Sequence, residues 1–431
     1  MNDILHYLLK NRLLPKEGLR TTEGETIRII QYGNESENEN IFCDAQIFIG
    51  DKERYGDIVT HNKSSDWEKD TGIDPCMSGK IILHITTEND CERLRRDGKL
   101  VPQLCIELPG NLQEEFKAAL QHSRCLQCKI DRQRIGDINI NSILSRLLVE
   151  RIEDKADNIQ LSFSECNGRW DDTLLKTIIR SFGFGIQGDV FEKWAKILDM
   201  NALGKHRDNP LQVEAIMFGQ AGLLDEKSIP HYYLAEALKN EYYMSLCNEY
   251  KFLKNKFNLQ SIGHEEWRNG SNATPHVRIA RIATLYISRK TDIAHISTCN
   301  TVNDYYNLID TTLSGYWSNH TCFGGTATIG NGSMKQRQMD VIIINAIAPT
   351  LYIYGKHRND NAICSKAEDL LHNIKGEENS IIRKWREKGL VAECAADSQA
   401  ILQLERKYCR MHDCTNCRFA YYYIKERMAE L

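Results

Sequence analysis

The chain has 431 residues, of which 42% are hydrophobic and 26% charged, and its formal net charge is -4. This composition is typical of a globular protein. The weak negative charge gives no global reason to expect nucleic-acid binding, although it leaves room for a local basic groove. The length allows two domains, or one domain with a large helical extension.

The start of the chain, MNDILHYLLKNRLLPKEG, carries Lys10 and Arg12 where a signal peptide needs an unbroken apolar run. It predicts an amphipathic helix that ends near Pro15. No segment approaches the roughly 18–20 apolar residues that span a bilayer. The 15 cysteines are odd in number and irregularly spaced, which is unlike a secreted disulfide framework. We therefore expect a cytoplasmic protein with mostly reduced cysteines and no membrane partner.

Short β-rich segments follow the opening helix and are separated by polar or glycine-rich connections. They cover residues 25–32, 42–50, 55–62, 80–87 and 100–108, and a helical pattern follows at 111–123. This order, α-β-β-β-β-β-α, predicts a mixed sheet that is at least partly antiparallel. We predict an α+β protein in which a mixed-sheet domain (1–125) precedes a larger, mostly helical domain (126–431) that carries a C-terminal cysteine cluster.

From about Asn141 the apolar residues recur with a helical period, beginning with Leu144, Leu147 and Leu148. Further helices are predicted near 172–182, 189–198, 211–224, 230–257, 276–289, 300–313, 337–355, 365–375, 380–388, 397–408 and 415–428.

The strongest local signal for a metal site is the C-terminal run YCRMHDCTNCRF, which contains Cys409, Cys414 and Cys417. A Cys-x-x-Cys pair on a turn that enters a helix places two thiolates within reach of one ion, and Cys409 would end the preceding helix beside them. Three free thiols in a small helical hairpin are the alternative interpretation.

A metal bound here needs a fourth ligand, because structural zinc takes four ligands and an iron–sulfur cluster takes four cysteines. Cys128, in RCLQCKIDR, is the first choice, with Cys125 next and His412 as a local alternative for zinc. Zinc and an iron–sulfur cluster both remain open.

A second candidate site lies in GDIVTHNKSSDW (56–67). On a strand, Asp57, Val59, His61 and Lys63 would point to one side, and Asp44 on the preceding strand could add a second acid. Metal-dependent nucleases use carboxylates to hold Mg²⁺ and a lysine to orient the attacking water. A solvated strand face followed by a turn is the alternative interpretation.

Basic residues also gather in the helical part. Arg278 and Arg281 on one helix, with Lys205, His206 and Arg207, could form a basic patch or simply a solvated surface.

Several longer blocks resemble one bacterial family, catalogued as domain of unknown function 2851. They are GDIVTHNKSSDW, LLVERIEDK, KHRDNPLQVEAIMFGQAGLL, EYKFLKNKFNL, NSIIRKWREKG and DSQAILQLERKYC. The matches run in order over nearly the whole chain. The resemblance implies no activity, because none is assigned to the family. It does imply a lone upstream cysteine matching Cys128, and so a four-cysteine site of Cys128, Cys409, Cys414 and Cys417.

The N-terminal part of that family looks similar to the PD-(D/E)XK nuclease-like superfamily, a link that rests on pattern and predicted strand order. On this resemblance the strand histidine matches His61, the basic residue matches Lys63, and the following Ser-Asp-Trp matches Ser65, Asp66 and Trp67.

The acids of the nuclease pattern do not carry over. Ile41 stands where the first acid is expected, and Val59 stands where the strand glutamate is expected. An apolar side chain cannot hold Mg²⁺. Asp44 and Asp57 lie close in sequence and could substitute only in part, because the Asp57 position is one pleat repeat from Val59.

Three functions follow as hypotheses. The first is a degenerate nuclease-like, metal-stapled binding protein whose partner could be nucleic acid. The second is a metal-stabilised scaffold for protein interactions. The third is an active Mg²⁺-dependent nuclease that uses Asp44, Asp57, His61 and Lys63.

Overall fold

The computed structural model describes residues 3–36, 40–69, 80–94, 98–183, 187–268, 275–327 and 332–429. The chain divides into two compact units. Unit 1 comprises Met1–Ile143, Asn379–Val391 and Ile401–Leu431, and unit 2 comprises Leu144–Glu378 and Ala392–Ala400. This division differs from the predicted single cut after residue 125, because the C-terminal segments group with the N-terminal residues, where they contact α2 (Leu112–Leu120) and the residues that flank it.

Unit 1 contains a seven-stranded sheet. Its strands are β1 (Leu19–Arg20), β2 (Thr26–Gln31), β3 (Asn34–Glu35), β4 (Ile41–Ile49), β5 (Lys52–Lys63), β6 (Ile81–Glu88) and β7 (Gln103–Cys105). The strand order is β1-β2-β4-β5-β6-β7, and β3 pairs with β4. Pairing is antiparallel from β1 to β5 and parallel from β5 to β7. The predicted mixed sheet and the α+β class are confirmed.

Two helices of unit 1 lie early in the chain, α1 (Ile4–Lys10) and α2 (Leu112–Leu120). The side chain of Asp3 caps α1 by accepting a hydrogen bond from the backbone N–H of His6. α1 packs on β5 and β6, and its Tyr7 ring lies 5.2 Å from the ring of Phe116 on α2. The opening helix predicted from the sequence therefore covers the sheet.

The C-terminal part of unit 1 adds α17 (Ser380–Glu387), a π-helical segment (Leu404–Cys409) and α19 (Arg418–Met428). The hydroxyl of Tyr423 donates to Glu115 Oε2 at 2.8 Å, and Arg427 Nη2 donates to the carbonyl of Pro109 at 3.0 Å. These bonds hold α19 against the segment that contains α2.

The remaining helices are α3 (Arg132–Ile135), α4 (Asp137–Glu165), α5 (Trp170–Ser181), α6 (Gly188–Ile197), α7 (Met200–Lys205), α8 (Pro210–Gln220), α9 (His231–Lys239), α10 (Glu241–Phe257), α11 (His276–Ile287), α12 (Ile293–Thr298), α13 (Val302–Ile309), α14 (Gln336–Ile342), α15 (Ala348–Arg358), α16 (Asn361–His372) and α18 (Ala395–Gln403). A small hairpin, β8 (His320–Cys322) and β9 (Gly325–Thr326), lies between α13 and α14. Within the described ranges, none of the helices combines the length and apolar character that a bilayer crossing requires.

The prediction of one helix over 230–257 was wrong. The structure has α9 and α10, separated at Asn240, whose side chain accepts the backbone N–H groups of Tyr242 and Tyr243 and so begins a new helix. The prediction for 337–355 holds as one continuous helical run, with a π-helical segment at Ile343–Ile347 between α14 and α15.

Candidate metal centre and sheet cluster

Two segments of unit 1 that are far apart in sequence meet beside α19. His122 Nδ1 donates to the carbonyl of Met411 at 3.1 Å, and His412 Nδ1 donates to the carbonyl of His122 at 2.5 Å. Both histidines have a positive φ, 51° and 53°. These local turns and reciprocal bonds fix the loop after α2 against the loop that follows Cys409.

The joined loops bring two sulfur atoms together. Cys125 Sγ and Cys414 Sγ lie 3.4 Å apart, and the backbone N–H of Leu126 donates to Cys414 Sγ at 3.4 Å. This separation is too long for a disulfide, in which the sulfurs are about 2.05 Å apart. It is close to the edge of a tetrahedron with metal–sulfur bonds of about 2.3 Å, which is about 3.8 Å.

Cys409 joins the same group. The thiols of Cys409 and Cys414 donate hydrogen bonds to the sulfur of Cys125, which lowers the pKa of Cys125, and burial also raises the pKa values of the two donors. These three side chains therefore form one cluster in which hydrogen bonds from neighbouring thiols favour a thiolate. Thiolate, not thiol, is the form that binds metals.

Cys128 and Cys417 complete a group of five cysteines. Cys414–Cys417 is a turn closed by a 3.1 Å bond from the N–H of Cys417 to the carbonyl of Cys414, and Cys417 is the N-cap residue of α19. Cys128 is buried, which raises its pKa, and the nearby Cys417 and Cys125 raise it further. We call residues 125, 128, 409, 414 and 417 the cysteine cluster.

Neighbouring contacts position the cluster. Cys409 ends the π-helical segment, and one turn earlier the buried Glu405 accepts bonds from Lys384 Nζ (2.9 and 3.1 Å) and Trp385 Nε1 (2.9 Å). The N–H of Ile130, two residues after Cys128, donates to the carbonyl of Lys388 at 2.7 Å. α17 and the turn after it therefore support both halves of the cluster.

From the sequence, Cys128 is expected ahead of Cys125 as the fourth ligand. In the structure the contact with Cys414 is made by Cys125, and among the neighbouring thiols Cys417 has the largest effect on the pKa of Cys128. The sequence did contain a signal that Cys125 belongs to the site. Cys125-Leu-Gln-Cys128 is a second Cys-x-x-Cys pair with the same spacing as Cys414–Cys417.

The described cysteines are all free thiols. In the described ranges, no group of three or more His, Cys, Asp or Glu side chains is already arranged to hold a metal ion. The cysteine cluster has the donor atoms for zinc or an iron–sulfur cluster, and side-chain rotation would be needed to aim them at one point.

On the sheet, β5 and β6 bring two histidines together. His61 Nδ1 and His84 Nε2 lie 3.1 Å apart, and Gln103 Nε2 lies 3.4 Å from His84 Nδ1. Gln103 Nε2 also donates to the carbonyl of Cys91 at 3.2 Å, so the amide nitrogen faces His84 as a donor, and the His84 tautomer that matches this arrangement has its proton on Nε2, toward His61. Trp67 packs edge-on against His84 with ring centroids 4.9 Å apart. His84 and Gln103 were not singled out by the sequence analysis, because their partners come from other strands.

The predicted acids lie at a β-bulge between β4 and β5. Asp44 has φ 58°, and its backbone N–H donates to Oδ1 of the buried Asp57 at 3.2 Å. Val59 is fully buried and packs with Ile41, the other residue at an expected acid position. The two expected acid positions therefore lie in an apolar core, and the Asp57 carboxylate accepts a backbone hydrogen bond at the bulge.

Lys63 lies at the end of β5, about 20 Å of strand from Asp57, since each strand residue advances about 3.3 Å. Its Nζ forms an ion pair with Glu88 on β6 at 2.9 Å, and this pairing raises the pKa of Lys63. A raised pKa works against a role as a general base. Of the predicted catalytic residues, Asp44 and Asp57 meet each other, and His61 and Lys63 meet residues of β6.

These features define an α+β protein with a mixed sheet. In its unit 1, the C-terminal segments meet the loop after α2 at the cysteine cluster. Residues 2–380 match the model of a family described as "Protein of unknown function (DUF2851)". The match covers most of the chain, and the protein belongs to this family. Cys409, Cys414 and Cys417 lie beyond the matched range. No curated protein and no solved structure matches the chain.

Proposed function

We propose that the protein is a metal-stapled binding protein with a nuclease-like sheet that does not cleave, and that nucleic acid is its partner. One observation carries the metal staple: Cys125 and Cys414, 289 residues apart, have their sulfurs 3.4 Å from each other within a group of five cysteines. Free thiols of this number are expected in the reducing cytoplasm, where such spacings indicate metal binding more often than disulfides.

The metal would act as a structural staple. Cys125 and Cys128 follow α2, whereas Cys409, Cys414 and Cys417 precede α19, so one ion or cluster would tie the two ends of unit 1 together. Structural zinc contributes on the order of 10 kcal/mol to folding in small zinc domains, because the site is not preformed in the open chain. Zinc and an iron–sulfur cluster both suit an all-cysteine donor set.

The absence of cleavage follows from the sheet. Mg²⁺ needs carboxylate oxygens to replace its reluctantly lost waters, and the buried Val59 and Ile41 supply none. Asp57 accepts the backbone N–H of Asp44, and Lys63 is neutralised by Glu88. A catalytic constellation tolerates only about 0.5 Å of misplacement, and Asp57 and Lys63 are separated by about half the length of β5.

The experiment has two parts on the full chain purified without oxygen. Elemental analysis and a visible spectrum measure the metal: zinc is colourless, and an iron–sulfur cluster absorbs visible light because of its iron–thiolate bonds. Labelled single- and double-stranded DNA and RNA are then incubated with Mg²⁺ or Mn²⁺ to measure binding and cleavage.

We expect about one zinc ion or one cluster per chain, salt-sensitive nucleic-acid binding and no cleavage. Protein that folds without either metal contradicts the staple. Cleavage that disappears in both Asp57→Ala and Lys63→Ala contradicts the non-catalytic assignment and supports the nuclease. Metal without nucleic-acid binding leaves the protein-interaction scaffold as the function.

A further inference from the structure

The end of α10, in unit 2, carries alternating lysine and phenylalanine side chains. Lys205 Nζ lies 5.4 Å from the ring centroid of Phe257, and Lys256 Nζ lies 5.0 Å from the same ring. Lys256 Nζ is also 5.7 Å from the ring centroid of Phe252. The four side chains thus form a strip in the order Lys205, Phe257, Lys256, Phe252, which we call the Lys–Phe strip.

The strip is accessible to solvent. Phe252 is 58% exposed, both lysines are exposed and Phe257 is half-buried. A phenylalanine this exposed contributes little to the core, whose contact from this turn of α10 is made by the fully buried Leu253. Burying such an apolar ring against a ligand would be favourable, so the ring of Phe252 is available for stacking.

The end of α10 is positively charged. The last eight residues of α10, YKFLKNKF, contain three lysines and no acidic residue. Lysines in the last turn of a helix also offset the negative end of the helix dipole, but this role does not require aromatic rings between them. The neighbouring Arg207 forms an ion pair with Asp292 at 2.7 Å. Lys205 and Lys256 are therefore the cations that the strip offers to a ligand.

We propose that the Lys–Phe strip binds single-stranded nucleic acid, with phosphates on the two ammonium groups and a base stacked on the exposed ring of Phe252. Alternating cations and aromatic rings suit a single strand, which exposes the faces of its bases, better than a duplex, which stacks them internally. Positive charge attracts the phosphates and releases counterions. This inference rests on the proposed nucleic-acid partner and names the surface that would contact it.

The test measures fluorescence anisotropy of a labelled 20-nucleotide DNA strand, an RNA strand of the same sequence and the corresponding DNA duplex, over a range of salt concentrations. The variants are Phe252→Ala and the double substitution Lys205→Gln with Lys256→Gln. The matched controls are Tyr232→Ala, which removes another exposed aromatic ring (76% exposed), and Lys193→Gln, which removes an exposed lysine that is paired with Glu266.

We expect the wild type to prefer the single strands. Phe252→Ala should weaken the affinity for them about tenfold, which lies within the range for one base–aromatic stack. The double lysine variant should reduce the slope of log affinity against log salt by about 0.7 for each lysine. The controls should bind like the wild type.

Two failures are distinguishable. If the wild type binds but the strip variants bind equally well, the strip is the wrong surface and the proposed partner survives. If the wild type binds no nucleic acid at low salt, while its metal content is as expected, the nucleic-acid partner itself is wrong. A preference for the duplex, or an equal loss in the controls, also overturns the strip proposal.

Discussion

The sulfur atoms of Cys125 and Cys414 lie 3.4 Å apart although 289 residues separate them in the chain. The N–H of Leu126 donates to one of these sulfurs, and the paired bonds between His122 and the 411–412 turn hold the two loops in register. The contact therefore belongs to a fixed arrangement of two loops and not to a chance approach of two side chains.

We expect Cys125→Ser and Cys414→Ser each to lower the bound metal well below one equivalent per chain. Both should reduce the free energy of unfolding of unit 1 by several kcal/mol, since a structural metal can contribute on the order of 10 kcal/mol. Metal analysis and urea unfolding measure the two effects. Cys299→Ser, at a half-buried cysteine of unit 2, is the control and should change neither. Full metal in Cys125→Ser but not in Cys128→Ser would instead favour the ligand set that the sequence suggested.

Gly389 is expected to be intolerant of a side chain. It has φ +95°, and a Cβ added there would collide with the carbonyl of Ile130, two residues after Cys128. Gly18 has a similar φ of +86° but open space around it. Both Gly389→Ala and Gly18→Ala carry the strain of an L-residue at a positive φ, about 1–2 kcal/mol. Only Gly389→Ala also pushes the cysteine loop, so it should unfold at a lower temperature than Gly18→Ala and bind less metal. Equal losses would argue that the loop can shift freely.

The stability of unit 1 should fall in mild acid because of His84. Burial lowers the pKa of His84 from 6.5 to about 3, with smaller effects from His61 and Arg93. Between about pH 6.5 and 3 the unfolded chain therefore binds a proton that the folded chain does not, so stability decreases as the pH falls through this window. One such group contributes a slope of about 1.4 kcal/mol per pH unit.

Urea unfolding at pH 7, 6, 5 and 4 tests this dependence. His84→Gln removes the titrating group and keeps a polar side chain, so its stability should vary less steeply with pH than that of the wild type. Parallel curves for the two proteins would show that other groups cause the acid sensitivity.

Val59→Glu restores an acid at the nuclease position but should destabilise the sheet. Val59 is fully buried beside Ile41, Ile81 and Val101, and an uncompensated buried charge costs about 3–5 kcal/mol. Asn62→Glu, at an exposed position of the same strand, should change stability by less than about 0.5 kcal/mol. Chemical unfolding compares the two. A stable Val59→Glu that gains Mg²⁺-dependent cleavage would mean that the site is open to a metal.

The elements that the sequence predicted are those with strong local patterns. The five apolar runs became β2, β4, β5, β6 and β7 within a few residues, because alternation and β-branched residues act through nearest neighbours. The break in the long helix predicted over 230–257 was also local. Asn240 followed by Glu241 is an N-cap signal, and helical periodicity on both sides obscured it.

The sequence by itself determined the α+β class, the mixed sheet and the family, because these follow from periodicity and from blocks of residues that stay together in the chain. Only the tertiary structure decided which distant residues meet: His61 with His84, Lys63 with Glu88, and Cys125 with Cys414. The two strand contacts depend on strand order, which no local pattern encodes. For the cysteines, the two Cys-x-x-Cys spacings indicated a shared site, but only the return of the last 50 residues to the first 130 decided which sulfur atoms meet. Long-range pairing is selected by the burial of the apolar faces of whole strands and helices. It can therefore be identified only from the folded structure.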